Sequence, residues 1–225
     1  MTEITRIECI RCKASHPESL YSGDDRLCVY CKAEIAERGP LPATPEPEPS
    51  KADTVEEKAR AELALRFLTR KRLLPFVERF NPDYSAGWVH KDICNRLEEF
   101  SRDVADKKSP RLMLFMPPRH GKSTLASVAF PAWHLGRHPQ HEFISCSYSG
   151  SLAMGFSRKV RGLLREEGYK SAFKTRLDPQ SQSAEAWLTT SGGGYVAAGV
   201  GGGITGKGAH ILVIDDPVKN RDDAE

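Results

Sequence analysis

The sequence predicts an α/β fold: a parallel sheet flanked by helices, incomplete at its C-terminal end and preceded by a small zinc-binding module. Three observations carry this expectation. Residues 111–124, RLMLFMPPRHGKST, read as a buried strand, a tight loop and the first turn of a helix, with Gly121-Lys122-Ser123 closing the loop. Far downstream, the apolar run Ile211-Leu212-Val213-Ile214 ends in Asp215-Asp216. Near the N-terminus, Cys9-x2-Cys12 and Cys28-x2-Cys31 are separated by fifteen residues. The first two features together specify a phosphate-binding loop, and hence a sheet of the P-loop NTPase type.

In chain order, residues 1–38 form the zinc module. Each Cys-x2-Cys pair is a tight knuckle, and two knuckles enclose a tetrahedral ion. Cys9, Cys12, Cys28 and Cys31 complete a closed four-thiolate shell, so the Zn²⁺ is structural, and it would supply most of the module's folding energy. Residues 39–53 form a linker. Its core, GPLPATPEPEPS, has five prolines in twelve residues, which opposes helix and sheet pairing.

Residues 54–110 are a helical lead-in. Thr54-x-x-Glu57 has the form of a capping box, followed by Leu63, Ala64, Phe67 and Leu68 at helical spacing. Arg66, Arg70, Lys71 and Arg72 cluster at that helix's end, as a solvated face or a DNA contact. A second helix carries Val89, Ile93, Leu97, Phe100 and Val104 on one stripe.

Residues 111–225 are the core of the sheet. A helix follows the loop as far as Gly136, and residues 142–147 are a short strand. Residues 151–167 form a helix with Arg158, Lys159, Arg161 and Arg165 on its outer face. Strands at 186–190 and 195–198 are joined as a hairpin by Ser191-Gly192-Gly193-Gly194. Residues 199–208, GVGGGITGKG, hold six glycines in ten positions. They read either as a flexible loop or as backbone N–H groups that, with Lys207, line a nucleotide or DNA channel near the carboxyl edge of the sheet. Cys94 and Cys146 stand in apolar patterns, as buried fillers.

The chemistry of the loop follows from its residue types. Glycine lets the backbone approach a phosphate, and a helix N-terminus aims free N–H groups at it. Lys122 reaches the β- and γ-phosphates, and Ser123 places a hydroxyl on Mg²⁺. A carboxylate at the tip of a neighbouring strand, Asp215, holds the same ion, and Asp216 is set to orient or deprotonate water. The usual loop has a glycine five residues before Gly121, where this chain has Met116.

The formal net charge of +3 on 225 residues gives little support for nucleic-acid binding, which only local clusters can provide. No apolar run approaches the ~20 residues that span a bilayer, and MTEITRIECIRC lacks a hydrophobic signal core. The expectation is no membrane contact and a cytoplasmic setting.

PPRHGKST, SYSGSLAMGFSRKVRGLL and above all GVGGGITGKGAHILVIDDPVKN resemble, in that order, the ATPase domain of the large terminase subunit of tailed bacteriophages. The resemblance covers about residues 75–225. It implies a motor that hydrolyses ATP to drive double-stranded DNA into the procapsid in the host cytoplasm. The family tolerates a loop without its first glycine and often carries a basic residue within it, here Arg119. By resemblance, Arg119, His120, Gly121, Lys122, Ser123, Thr124 and Asp215 bind ATP with Mg²⁺. Ser123 and Asp215 are the Mg²⁺ ligands, Asp216 is the catalytic carboxylate, and Arg119 stabilises the γ-phosphate. The position of Asp216 is commonly glutamate in relatives. Relatives also draw adenine contacts from the region ahead of the loop, where Trp88, His90 and Lys91 lie without matching a motif. Portal protein, small terminase subunit and a homo-oligomeric ring are the implied partners. The family's later nuclease domain lies beyond Glu225, so this chain is expected to be an N-terminal portion that cuts no DNA and hydrolyses ATP poorly. Two other readings remain open at this stage: another P-loop DNA translocase or helicase-like ATPase, and a zinc-dependent adaptor for nucleic acid or protein whose loop hydrolyses nothing.

Overall fold

The computed structural model describes residues 6–8, 15–17, 32 and 51–218. Contacts divide the chain into two units, Met1–Lys51 and Ala52–Glu225. In the first, strands β1 (Arg6–Glu8) and β2 (Ser15–Pro17) pair antiparallel, with Arg6 opposite Pro17. The four zinc-ligand candidates, Cys9, Cys12, Cys28 and Cys31, lie outside the described residues. Among the described residues no group of three or more His, Cys, Asp or Glu side chains is placed to hold a metal.

The second unit opens with helix α1 (Lys51–Lys71). It begins three residues before the expected cap, so Thr54 sits inside it rather than ahead of it. Its apolar positions also depart from expectation: Leu63, Phe67 and Leu68 are exposed. The basic cluster at its end is largely engaged with neighbours. Arg66 pairs with Glu62 at 2.7 Å, Lys71 lies over the Phe67 ring, and Arg72 bonds Glu98 at 2.8 Å.

Helix α2 (Leu73–Phe80) buries Leu73, Phe76 and Val77. The Leu73 backbone N–H donates to the buried Glu98 carboxylate at 2.7 Å, which satisfies one of the orphan donors of its first turn. Helix α3 (Trp88–Ala105) turns the expected stripe inward: Ile93, Leu97 and Val104 are buried, with Val89 and Phe100 packed at the margin. Cys94 is buried as expected, and burial pushes its thiol up to about 12.

The segment expected to be a buried strand is not one. Residues 108–117 carry no regular secondary structure. Leu112, Leu114 and Met116 pack against the core, while Met113 and Phe115 are 80% and 88% exposed. The inward–outward alternation is that of a strand. However, no ladder partner stands beside it among the described residues, so the apolar run covers one side only.

Beyond the loop the chain becomes helical at Lys122 and passes through a π-helical turn, Thr124–Ala129, into helix α4 (Phe130–Arg137). Strand β3 (Glu142–Ser147) follows, then helix α5 (Gly150–Arg165), capped by Ser149, whose Oγ accepts from the Leu152 N–H. After the short helix α6 (Glu167–Ala172) come strands β4 (Leu177–Gln182), β5 (Ala186–Thr189), β6 (Gly194–Gly199) and β7 (Ile211–Ile214).

These form one five-stranded mixed sheet in the order β4-β5-β6-β3-β7. Strands β6, β3 and β7 are parallel, and the β5–β6 hairpin and β4 are antiparallel additions. Strand β4, LDPQSQ, escaped the sequence reading because it is polar and contains Pro179, both of which an edge strand tolerates. Arg161 and Arg165, half of the basic stripe on α5, hold it through Gln182.

Register explains the core. Trp187, Tyr195 and Phe143 occupy paired positions on β5, β6 and β3, and their rings stack in a ladder, with centroids 5.3 and 5.5 Å apart. Phe130 of α4 meets Phe143 edge-on. On the opposite face, Ile144, Cys146 and Ala198 pack with Ile204 from the glycine-rich segment. Because β6 and β7 are parallel, that segment must return across the sheet from the carboxyl end of β6 to the amino end of β7. Lys207 therefore lies beside Glu142, Phe143 and Gly194, at the amino ends of the strands. This corrects the expectation of a channel at the carboxyl edge.

At those amino ends lies a cluster of histidines. The buried His134 bonds Ser101 Oγ through Nδ1 at 2.8 Å and His141 Nδ1 through Nε2 at 3.0 Å. His141 stacks on His210 with centroids 4.2 Å apart, and His138 stacks on its other side. The cluster joins α3, α4, β3 and β7.

Candidate functional site

The loop and the acidic strand meet, although their key residues are far apart in the chain. Lys122 Nζ donates to Asp216 Oδ1 at 2.6 Å and lies 3.5 Å from Asp215 Oδ1. Bonding to Asp216 raises the lysine's pKa, against the opposing effect of desolvation. Met116, Pro117, Pro118, Arg119, Gly121, Lys122, Ser123, Thr124 and Asp216 line one cleft of about 340 Å³. Every expected residue of the loop except His120 is thus at its wall. His120 is exposed, and its Nδ1 donates to the Pro118 carbonyl at 2.8 Å.

Local geometry gives this cleft its character. Arg119 and Gly121 take left-handed backbone conformations, with φ of 63° and 82°. For Arg119 such a conformation costs about 1–2 kcal/mol and persists only where the surroundings hold it. The Leu125 N–H bonds the Gly121 carbonyl at 3.0 Å, so the amides just ahead of it begin the helix without intrahelical acceptors. A helix N-terminus, a lysine and a concave glycine turn together suit an anion.

The acidic pair is held by the sheet's own ladder, which continues past β7. The Asp215 N–H donates to the Cys146 carbonyl at 2.9 Å, and the Tyr148 N–H to the Asp216 carbonyl at 3.0 Å. Ser147 Oγ donates to the Asp215 carbonyl at 2.8 Å. The two carboxylates then differ sharply in setting. Asp215 is 5% exposed, whereas the Asp216 side chain is 57% exposed and faces the cleft.

Ser127 and Tyr84 went unread in the sequence, and His90 was singled out only as lying in the region ahead of the loop. Ser127, wholly buried, donates from Oγ to Asp215 Oδ2 at 2.7 Å. It lies four positions beyond Ser123 on a helical run, a spacing that faces both toward one side and was the available signal. Tyr84 and His90 lie under Gly121: a Cβ built there would be 3.1 Å from Tyr84 Oη and 3.8 Å from His90 Nε2. No spacing rule links these residues to a loop thirty positions later.

Residues 113–225 match the family model described as terminase large subunit, T4likevirus-type, N-terminal. The chain belongs to this family. Membership of the terminase large subunit family implies a role in DNA packaging. The matched span contains both the loop and the acidic pair, while Tyr84, His90 and the four paired cysteines, Cys9, Cys12, Cys28 and Cys31, precede it. No curated protein and no solved structure matches the chain. Among the described residues, no helix is long and apolar enough to cross a membrane.

Proposed function

We propose that the chain is the ATP-hydrolysing motor part of a terminase large subunit, with the cleft at Lys122 as its nucleotide site. The observation that carries this reading is the convergence of Lys122 with Asp215 and Asp216 at a helix N-terminus, across ninety-four residues of sequence in the case of Asp216. The residues present suit both groups that the reaction requires. A buried carboxylate bonded to a hydroxyl, with a second hydroxyl at Ser123 in the cleft, is an oxygen donor set that a hard cation accepts. Mg²⁺ bound there would neutralise charge building on the phosphates.

The chain's own residues divide the work. The loop amides and Lys122 bind the phosphates, and Lys122 exchanges its Asp216 partner for them. Ser123 and Asp215 hold the ion, with Ser127 fixing the orientation of Asp215. Asp216, once released by Lys122, is free to accept a proton from water. Arg119, exposed at the rim of the cleft, balances charge on the terminal phosphate. By the same family reading, double-stranded DNA, a portal and further copies of the chain are the partners. Residues 1–38 bind one structural Zn²⁺ through Cys9, Cys12, Cys28 and Cys31.

Calorimetric titration of the 225-residue chain with ATP and Mg²⁺ tests the proposal. Saturable heat that Lys122→Ala abolishes is expected. Heat unchanged by that substitution would refute the site.

A further inference from the structure

We propose that His90 is a positioning residue that sets the backbone of the loop at His120 and Gly121. The proposal rests on reading that loop as a phosphate site. Its argument begins with the hydrogen bonds of one imidazole. The Gly87 N–H donates to His90 Nδ1 at 3.0 Å, so Nδ1 must be the unprotonated nitrogen. In the neutral ring the proton then sits on Nε2, which lies 3.0 Å from the His120 carbonyl oxygen, an acceptor only. Both bonds are satisfied by one tautomer, and no other neutral form satisfies either.

The first bond ties His90 to the start of α3, because a side chain three residues beyond Gly87 reaches back to its N–H, as the acidic member of a capping box does. The second carries that rigidity across thirty residues of sequence to the loop. There it acts on a peptide unit. All peptide bonds in the described chain are trans, so the His120 carbonyl and the Gly121 N–H point in opposite directions in one plane. A carbonyl held toward His90 therefore aims the Gly121 N–H away from it. This peptide lies between the two left-handed residues, Arg119 and Gly121, where the backbone most needs an external restraint.

Tyr84 completes the support. Its ring meets the His90 ring edge-on at 5.5 Å, and its buried hydroxyl, which has no hydrogen-bond partner among the described residues, lies beneath Gly121. Burial pushes that phenol up to about 12, so it remains neutral. Loop, histidine and tyrosine thus meet at the start of α3.

The test uses the full chain. His90→Phe keeps a ring over Tyr84 but removes both nitrogens, and is expected to weaken binding of ATP with Mg²⁺ about tenfold, the loss of one well-made hydrogen bond to a strained segment. His90→Gln supplies an amide N–H and should return the dissociation constant to within about twofold of wild type. A mere loss of folded protein would lower the binding stoichiometry and leave the constant unchanged, and that result would overturn the proposal. So would wild-type affinity in His90→Phe while Lys122→Ala fails to bind, which leaves the nucleotide site itself standing. Unaltered binding in Lys122→Ala would overturn both. Nitrogen-15 NMR of the wild-type imidazole gives an answer independent of any variant: the Nε2–H tautomer supports the proposal, and the Nδ1–H tautomer ends it.

Discussion

Acidification should unfold this chain from its histidine cluster, at a pH where most carboxylates are still ionised. Burial, with the neighbouring ring charges, lowers the pKa of His134 from 6.5 to about 2 and that of His141 to about 4. A histidine whose folded pKa is depressed takes up its proton in the unfolded chain first. Stability is therefore complete above the unfolded value and is lost as pH falls through it. Each such group removes about 1 kcal/mol between pH 6.5 and 5.5, and about 2 kcal/mol by pH 4.5. Together the two account for about 4 kcal/mol, a large share of the ~5–15 kcal/mol that holds a domain folded. His138, lowered by its own burial, adds in the same direction. Urea unfolding followed by intrinsic tryptophan fluorescence from pH 7.5 to 4.5 measures the slope. Trp133 and Trp187 are both fully buried near the cluster's helix and sheet, so either reports the transition. His141→Gln should reduce the slope by about half. A midpoint independent of pH between 7 and 5 would show that the cluster is protonated in the folded chain and would refute the reasoning.

Asp216→Asn removes the carboxylate that holds Lys122. Nucleotide binding should persist or tighten slightly, since a half-exposed ion pair contributes only ~0–1 kcal/mol, while turnover falls by about 10²–10⁴ for a lost proton acceptor. Steady-state hydrolysis alongside calorimetry checks this, and normal turnover would remove Asp216 from its role. Metal analysis of the purified chain should give one zinc, and a chelator should unfold residues near 1–38 and leave the sheet's circular dichroism intact. A metal-free, folded N-terminal region would end that reading.

How much was legible followed from how local each signal was. Strands β3 and β7 and the β5–β6 hairpin stood out because alternating or continuous apolar residues met glycine turns, and α3 because its stripe is regular. That Lys122 meets Asp215 and Asp216 was readable because a phosphate loop and an acidic strand tip are expected to be neighbours. Leu112 to Phe115 misled: apolarity indicated an extended chain but not whether a partner strand stands beside it. Leu63 and Phe67 misled in the same way, since helical spacing identifies a face and not what covers it. Ser127, Tyr84 and His90 act through contacts that only the fold creates, and a neutral hydroxyl or imidazole leaves little mark on a sequence pattern.

Among the described residues, β7 is the edge of the sheet. Its backbone bonds β3 on one side, and Leu212 and Ile214 stand half-exposed along it. A cavity of about 140 Å³ separates it from Leu112 and Leu114, with Phe100 and Phe130 at its wall. Within Ile211–Ile214 there is none of the charges or prolines that usually discourage strand-on-strand growth; these come only after it, at Asp215, Asp216 and Pro217. For anyone handling this chain, the practical consequence is colloidal: association through this edge should grow steeply with concentration. Leu212→Lys, which puts a charge on that edge, should reduce this association.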